Sequence, residues 1–323
     1  MVILVGGLGL AYMLAGGELS SQRVSPVDKA IVTIFPGEDG HGQASLQMQS
    51  FTGVTGPPTP TPTNSPEDPT PASTIGGSSG QPMPSGDMPG WKLIFSDDFT
   101  KDAAIGSWGS ECDSEKIAYL GAQGQKWRSY PKCFKDTYQK RPYRADQVLS
   151  VKNGMMNFFL HPVDGQPAGA NPSPVITGTS QYQTYGRYVA RFRTDTADLG
   201  PYYVAWLLWP QSEKWPDDGE EDFPEGALRG NAGGFHHYAG GGACVGCQDG
   251  ASSNAKFTEW HTYTMEWSPN RIKYILDGQE ILNSTKWVPT KPMRWQLQTE
   301  TNGNGNQSGN LMVDWVAVYA YQP

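Results

Sequence analysis

Cysteine is scarce in this chain, with four among 323 residues, and so is charge, at 17% of positions. Four thiols are too few for a disulfide-built miniature fold, and a chain of this length does not need one. Basic residues are outnumbered, 24 Lys and Arg against 32 Asp and Glu, for a net charge of −8. That balance argues against nucleic acid or an anionic membrane surface as partner. No apolar run reaches the roughly 20 residues of a membrane span. The nearest candidate is residues 1–17, apolar or small, with no charge before Glu18. It lacks the basic start of a secretory signal. It reads as a signal or signal-anchor segment, with a disordered apolar terminus as the plain alternative. No convincing amphipathic helix occurs in 91–323. Mean hydropathy, −0.52, is low for a wholly folded chain. What the chain has instead is 39 Gly, 26 Pro, 11 Trp and 15 Tyr.

Those residues are unevenly distributed. Residues 18–54 hold one strand candidate, Ala30–Phe35, and no assignable role. Residues 55–90 are Pro/Thr-rich and then Gly/Ser-rich, a composition that cannot bury a core of its own. They read as a linker, with the folded domain starting near Trp91. From there to residue 323 short strand patterns follow one another. Trp91–Phe99, Tyr185–Arg193, Tyr203–Pro210, Trp260–Trp267, Pro292–Glu300 and Met312–Tyr319 are the clearest. Asn153-Gly154 and Asp277-Gly278 each join two strands as a hairpin. Some 230 residues in one such block predict an all-β, two-sheet β-sandwich.

Within that block, Trp215 to Gly226 carries many acids between aromatic residues, which is poor company for a solvated loop. On a strand, Glu220 and Asp222 share a face and Glu225 points the other way. One extra residue, a β-bulge, returns Glu225 to their face. Pro224, which has no N–H to give a ladder, sits where a bulge is tolerated. The Cα atoms of Glu220 and Glu225 then lie roughly 13 Å apart along the strand. Leaning side chains could bring the carboxylates to the ~5 Å at which two acids cleave a glycosidic bond with retention.

Glu220-x-Asp222-x-x-Glu225 resembles the signature of glycoside hydrolase family 16, the laminarinase-type β-glucanases. The strands opening at Trp91, Tyr185 and Trp260, the Ala205-Trp206-Leu207-Leu208-Trp209-Pro210 run and the closing strand resemble the family too. The resemblance covers 91–323. It implies a concanavalin-like jelly roll with a concave substrate cleft and a retaining endo-β-glycanase. The substrate it implies is a β-1,3- or β-1,3-1,4-glucan. Transglycosylation on a cell-wall glycan and a non-catalytic glycan-binding module are the alternatives. It implies Glu220 as nucleophile, Glu225 as acid/base and Asp222 as the residue that tunes both. Trp206, Trp209, Trp215 and Trp295 are sugar-platform candidates, with core packing as the equal rival. His237 and Gln298 are further substrate-contact candidates, with a core or surface place as the equal rival for His237. No cofactor is required. Asp314 is a weak candidate for a structural calcium.

One residue departs from the family. Between nucleophile and Asp222 an aliphatic side chain is usual, and here it is Glu221. A buried carboxylate without a partner is expensive, so Glu221 needs a partner, a proton or a wet strand. In an exported or surface-anchored monomer, Cys112–Cys133 and Cys244–Cys247 are the favoured disulfides. Half a zinc site, Cys244 and Cys247 with His236 or His237, is the rival.

Overall fold

The computed structural model describes residues 11–15, 18–22, 79–109, 111–240 and 247–323. The chain forms two compact units, Met1–Thr70 and Pro71–Pro323. In the first, Ala11–Ala15 pairs antiparallel with Glu18–Gln22. Most of the apolar segment 1–17, the strand candidate Ala30–Phe35 and linker residues 55–78 lie outside the described residues. No helix among the described residues is long and apolar enough to cross a membrane.

The second unit is a sandwich of two antiparallel sheets. Six strands run in the order Tyr182–Gln183, Met293–Thr301, Tyr202–Pro210, Glu220–Ala227, Asn231–His237, Gln248–Lys256. This is the cleft sheet. The other, outer sheet has nine strands, with Gly186–Thr194 and the long closing strand Gly309–Tyr321 at its centre. Ala145–Val148 is a single turn of helix. Both Asn153-Gly154 and Asp277-Gly278 hold positive φ at each residue, as a tight hairpin of this hand requires.

Alternation decides which side chains meet between the sheets. Along Tyr202–Pro210, Val204, Trp206 and Leu208 join the main core, while Tyr203, Ala205 and Leu207 form a separate cluster on the far face. Trp206 lies between Phe158 and Phe192 of the outer sheet, and Trp295 beside Tyr188. Neither is a sugar platform, since both are buried to within 2% and their rings meet each other edge to face. On this strand both faces are apolar, so hydrophobicity alone does not say which tryptophan looks out. Parity does: Trp209 is three residues from Trp206 and lies on the opposite face.

The domain also begins earlier than composition suggests. Ser79 donates through its backbone N–H to Asp314 Oδ2 at 3.0 Å, and its hydroxyl bonds the same oxygen. Arg191 Nε donates to that hydroxyl, and Trp315 Nε1 to the Gln81 carbonyl at 3.0 Å. Met83 packs with Trp91 and Leu93 on Val189, Trp315, Ala317 and Tyr319, across the outer face of the outer sheet. Residues 79–90 therefore belong to the fold. A Gly/Ser/Pro segment has no core of its own, but it can lie on another's. Asp314, the calcium candidate, is an anchor for this segment.

Candidate active site

The bulge lies where the acid spacing places it. Asp222 pairs with Leu207 on one side and Phe235 on the other, and Glu225 pairs with Ala205 and Gly233. Phe223 and Pro224 together thus oppose the single Trp206 and the single Gly234. The neighbouring glycine is required: a Cβ at 234 would come 2.6 Å from the Asp222 carbonyl oxygen and 2.9 Å from the Phe223 ring. Glu220, Asp222 and Glu225 consequently share the face that carries Tyr203, Leu207 and Trp209, the face turned away from the core.

Each acid has its own partner. His237, opposite Glu220 on the next strand, places Nε2 3.1 Å from Asp222 Oδ2. The Trp215 indole hydrogen-bonds Glu220, and its ring lies 6.1 Å from that of His237. Tyr203 donates its hydroxyl to Glu225 Oε1 at 2.8 Å. Glu220, Asp222 and His237 bring one polar atom each within 4.8 Å of one another, and among the described residues no other such group of acids, histidines or cysteines occurs.

Crowding and burial raise all three carboxyls. For Glu220 burial is the largest cause, with the charges of Asp222 and Glu225 adding, while His237 and the Trp215 hydrogen bond pull the other way. Asp222 is held well above the usual carboxylate range by burial, then by Glu225, Glu221 and Glu300. Glu225 is pushed up to about 7 by burial, restrained by Tyr203 and His237. A fourth acid, Glu300, lies opposite Tyr203 on the same face and is also raised to about 7 by burial, despite the Thr137 N–H donated to it. The sequence motif does not include it. Its signal is parity with Gln298.

The remaining candidates divide. Gln298 is on the site's face and its Oε1 accepts the Tyr143 hydroxyl at 3.1 Å. Trp209 faces the same way and donates Nε1 to Glu213 Oε2 at 2.6 Å, while Glu213 Oε1 takes Arg294 Nη1. Arg294 is sandwiched between the Tyr130 and Tyr182 rings and donates to both hydroxyls. It lines a cavity of about 260 Å³ together with Phe134, Asn171, Gln181 and Gln296. Aromatic walls with planar amide and guanidinium groups suit a sugar ring, which offers C–H faces and a rim of hydroxyls. No motif announces this cavity, because its residues come from widely separated stretches of chain.

The cysteines differ from expectation in part. Cys112 and Cys133 are exposed free thiols, close enough that Cys112 hydrogen-bonds Cys133 and raises its pKa. They are neighbours without being bonded. Cys247 is disulfide-bonded, which removes it as a zinc ligand. Cys244 lies outside the described residues.

Glu221 is not the liability its burial threatens. It points into the core, fully buried, and His236 Nδ1 lies 2.8 Å from its Oε1. Tyr274 donates to its Oε2 at 2.9 Å.

A bulged strand that lines three acids along one face of a β-sandwich, beside a sugar-sized polar cavity, defines a glycoside-cleaving enzyme. The model of the glycosyl hydrolases family 16 matches residues 141–317, more than half of the chain. The chain belongs to that family and is a β-glycan hydrolase. It is 24% identical over 267 residues to a β-glucanase of Rhodothermus marinus, covering 72% of this chain and 86% of that protein. A keratan-sulfate endo-1,4-β-galactosidase of Sphingobacterium multivorum is 25% identical over 195 residues, 58% of this chain and 42% of its own length. Among solved structures, SCLam, a non-specific endo-β-1,3(4)-glucanase, superposes with a TM-score of 0.53 at 19% identity, over 74% of this chain and 95% of that one.

Proposed function

We propose that this enzyme cuts internal linkages of a β-1,3- or mixed β-1,3-1,4-glucan with retention, Glu220 attacking and Glu225 shuttling the proton. The observation that carries the reading is the bulge, which sets both glutamates on one face with Asp222 between them. Three crowded carboxyls hold at least one proton among them near neutrality. Burial and the charges of Glu225, Glu221 and Glu300 favour the protonated form of Asp222. His237 and the Trp215 indole favour the ionised Glu220, which is the form that can bond the anomeric carbon. Glu225, raised to about 7, still carries a proton at mildly acidic pH. It gives that proton to the departing glycosidic oxygen as the Glu220–sugar ester forms. It then takes one from the water that breaks the ester.

The β-glucan assignment leans on the activities named for the Rhodothermus β-glucanase and SCLam. A polymeric substrate puts the reaction outside the cell, in keeping with residues 1–17 as a signal or anchor. Glu221, where the chain departs from the family, has the partners that its burial calls for. The test is reducing-sugar release from laminarin, lichenan, a β-galactan and keratan sulfate, with NMR of the first product. Release from laminarin or lichenan as the β-anomer is expected. An initial α-anomer would overturn the roles, and cutting of the galactan or keratan sulfate alone would overturn the substrate.

A further inference from the structure

We infer that Glu221 and His236 are positioning residues for the reaction: a buried pair sharing one proton that grips the catalytic strand from behind and fixes the acids on its other face. The inference rests on the reading of Glu220 as nucleophile.

The geometry starts with register. Glu221 and His236 are directly opposite on adjacent strands, both with side chains turned into the core and no exposed surface. His236 Nε2 lies 2.6 Å from the Lys286 carbonyl oxygen. A carbonyl only accepts, so Nε2 carries a hydrogen. The other ring nitrogen lies 2.8 Å from Glu221 Oε1, and one proton occupies that gap. On nitrogen it makes an imidazolium–carboxylate pair, and on oxygen an imidazole–carboxylic acid pair. The net charge is zero in either case. A fourth anion beneath three crowded carboxyls is thereby avoided.

Tyr274, from the outer sheet, completes the grip. Its hydroxyl reaches Glu221 Oε2 at 2.9 Å and the Phe235 carbonyl at 2.7 Å. Its ring stacks on Phe223, the first bulge residue, with centroids 4.9 Å apart and planes 3° from parallel. Residues 221 and 223 are therefore both held from the core side. Between them Asp222 points to the cleft, with Glu220 immediately before and Glu225 just beyond. Four pieces of chain meet at the pair: the catalytic strand and the Tyr274 strand of the opposite sheet at Glu221, the neighbouring strand and the segment carrying Lys286 at His236. A glycosidase nucleophile misplaced by about 1 Å can lose two orders of magnitude in rate, so a clamp here acts on turnover rather than on affinity.

Because the pair works as a unit, breaking one member is worse than replacing both. Glu221→Ile leaves His236 Nδ1 without its partner, and His236→Phe leaves Glu221 a buried acid with Tyr274 alone beside it. Glu221→Gln keeps both contacts, its amide donating to Nδ1 and its oxygen accepting from Tyr274. The full-length protein and these variants are assayed on laminarin, together with the double variant Glu221→Ile/His236→Phe. Each apolar single variant should lose kcat by about tenfold or more with KM within about twofold. Glu221→Gln should stay within about threefold, and the double variant should regain most of the loss of the worse single one. Wild-type protein should also show a slowly exchanging imidazole N–H from His236 in NMR, a signal that does not depend on substrate. Single variants with unaltered kcat, losses that simply multiply in the double variant, or a freely exchanging His236 proton would each overturn the inference. Retained activity in Glu220→Gln would instead refute the nucleophile, leaving the spectroscopic result to judge the pair.

Discussion

Tyr203→Phe separates the acid/base from every other acid in the site. The substitution removes one oxygen, keeps the ring among Ala205 and Leu207, and deletes the 2.8 Å hydrogen bond to Glu225. That bond favours the ionised carboxylate, so its loss must raise the Glu225 pKa from its value of about 7. A hydrogen bond to a charged group contributes about 1.5–3 kcal/mol. At 1.36 kcal/mol per pKa unit, this is roughly one to two units. Glu225 is partly open to solvent, so water restores some of it and a rise of about one unit is expected. A general acid must be protonated, so kcat/KM should fall above pH 7 in the wild type and above about pH 8 in the variant. At pH 8 the variant would retain about half of its own plateau and the wild type about a tenth, a fivefold contrast. Initial rates of reducing-end formation between pH 5 and 10 measure this. A basic limb that stays in place or moves toward acid would show that Glu225 is not the group titrating there, and its role would have to pass to Asp222 or Glu300.

The tryptophans should divide by face: Trp206→Ala should lower stability by about 3–5 kcal/mol, whereas Trp215→Ala should leave the melting temperature within a degree or two and raise KM. Beginning the chain at Ser79 should keep the melting temperature of the full protein, and beginning it at Trp91 should lower it, because Met83 and the Ser79–Asp314 bonds are lost; equal melting temperatures would refute the docking. Stability should also decline as pH rises from about 4.5 to 7. Glu225 and Glu300 near 7 and Asp97 near 6 bind protons more tightly folded than unfolded, so their contribution is complete below the ordinary carboxylate range and lost as they ionise. Thermal melts should show Glu300→Gln flattening that decline, and a rise in melting temperature over the same span would contradict it.

The catalytic strand was legible because its rule is local: alternation of faces, one proline, and three acids whose offsets make sense only with a bulge. Trp206 and Trp295 stay undecided in the sequence, between sugar platform and core, for the opposite reason. On strands apolar on both faces, residue type carries no direction, and the parity shared with Val204 or Leu297 had to be given more weight than the sugar affinity of tryptophan. The partners of Glu221 come from 15 and 53 residues downstream, where only the assembled register brings them. The Arg294 cavity likewise draws on residues far apart in the chain, from cleft-sheet strands and from loops. Residues 79–90 show that a composition unfit to form a core says nothing about whether a segment rests on one.

That last contact decides where the chain enters the catalytic domain. Ser79 is pinned to the outer face of the outer sheet, through Asp314 and Arg191, while the three acids open on the far face of the opposite sheet. The chain thus enters the domain at its back. Pulling on residue 79 loads the hydrogen bonds at Asp314 and Trp315 before it reaches any strand of the cleft.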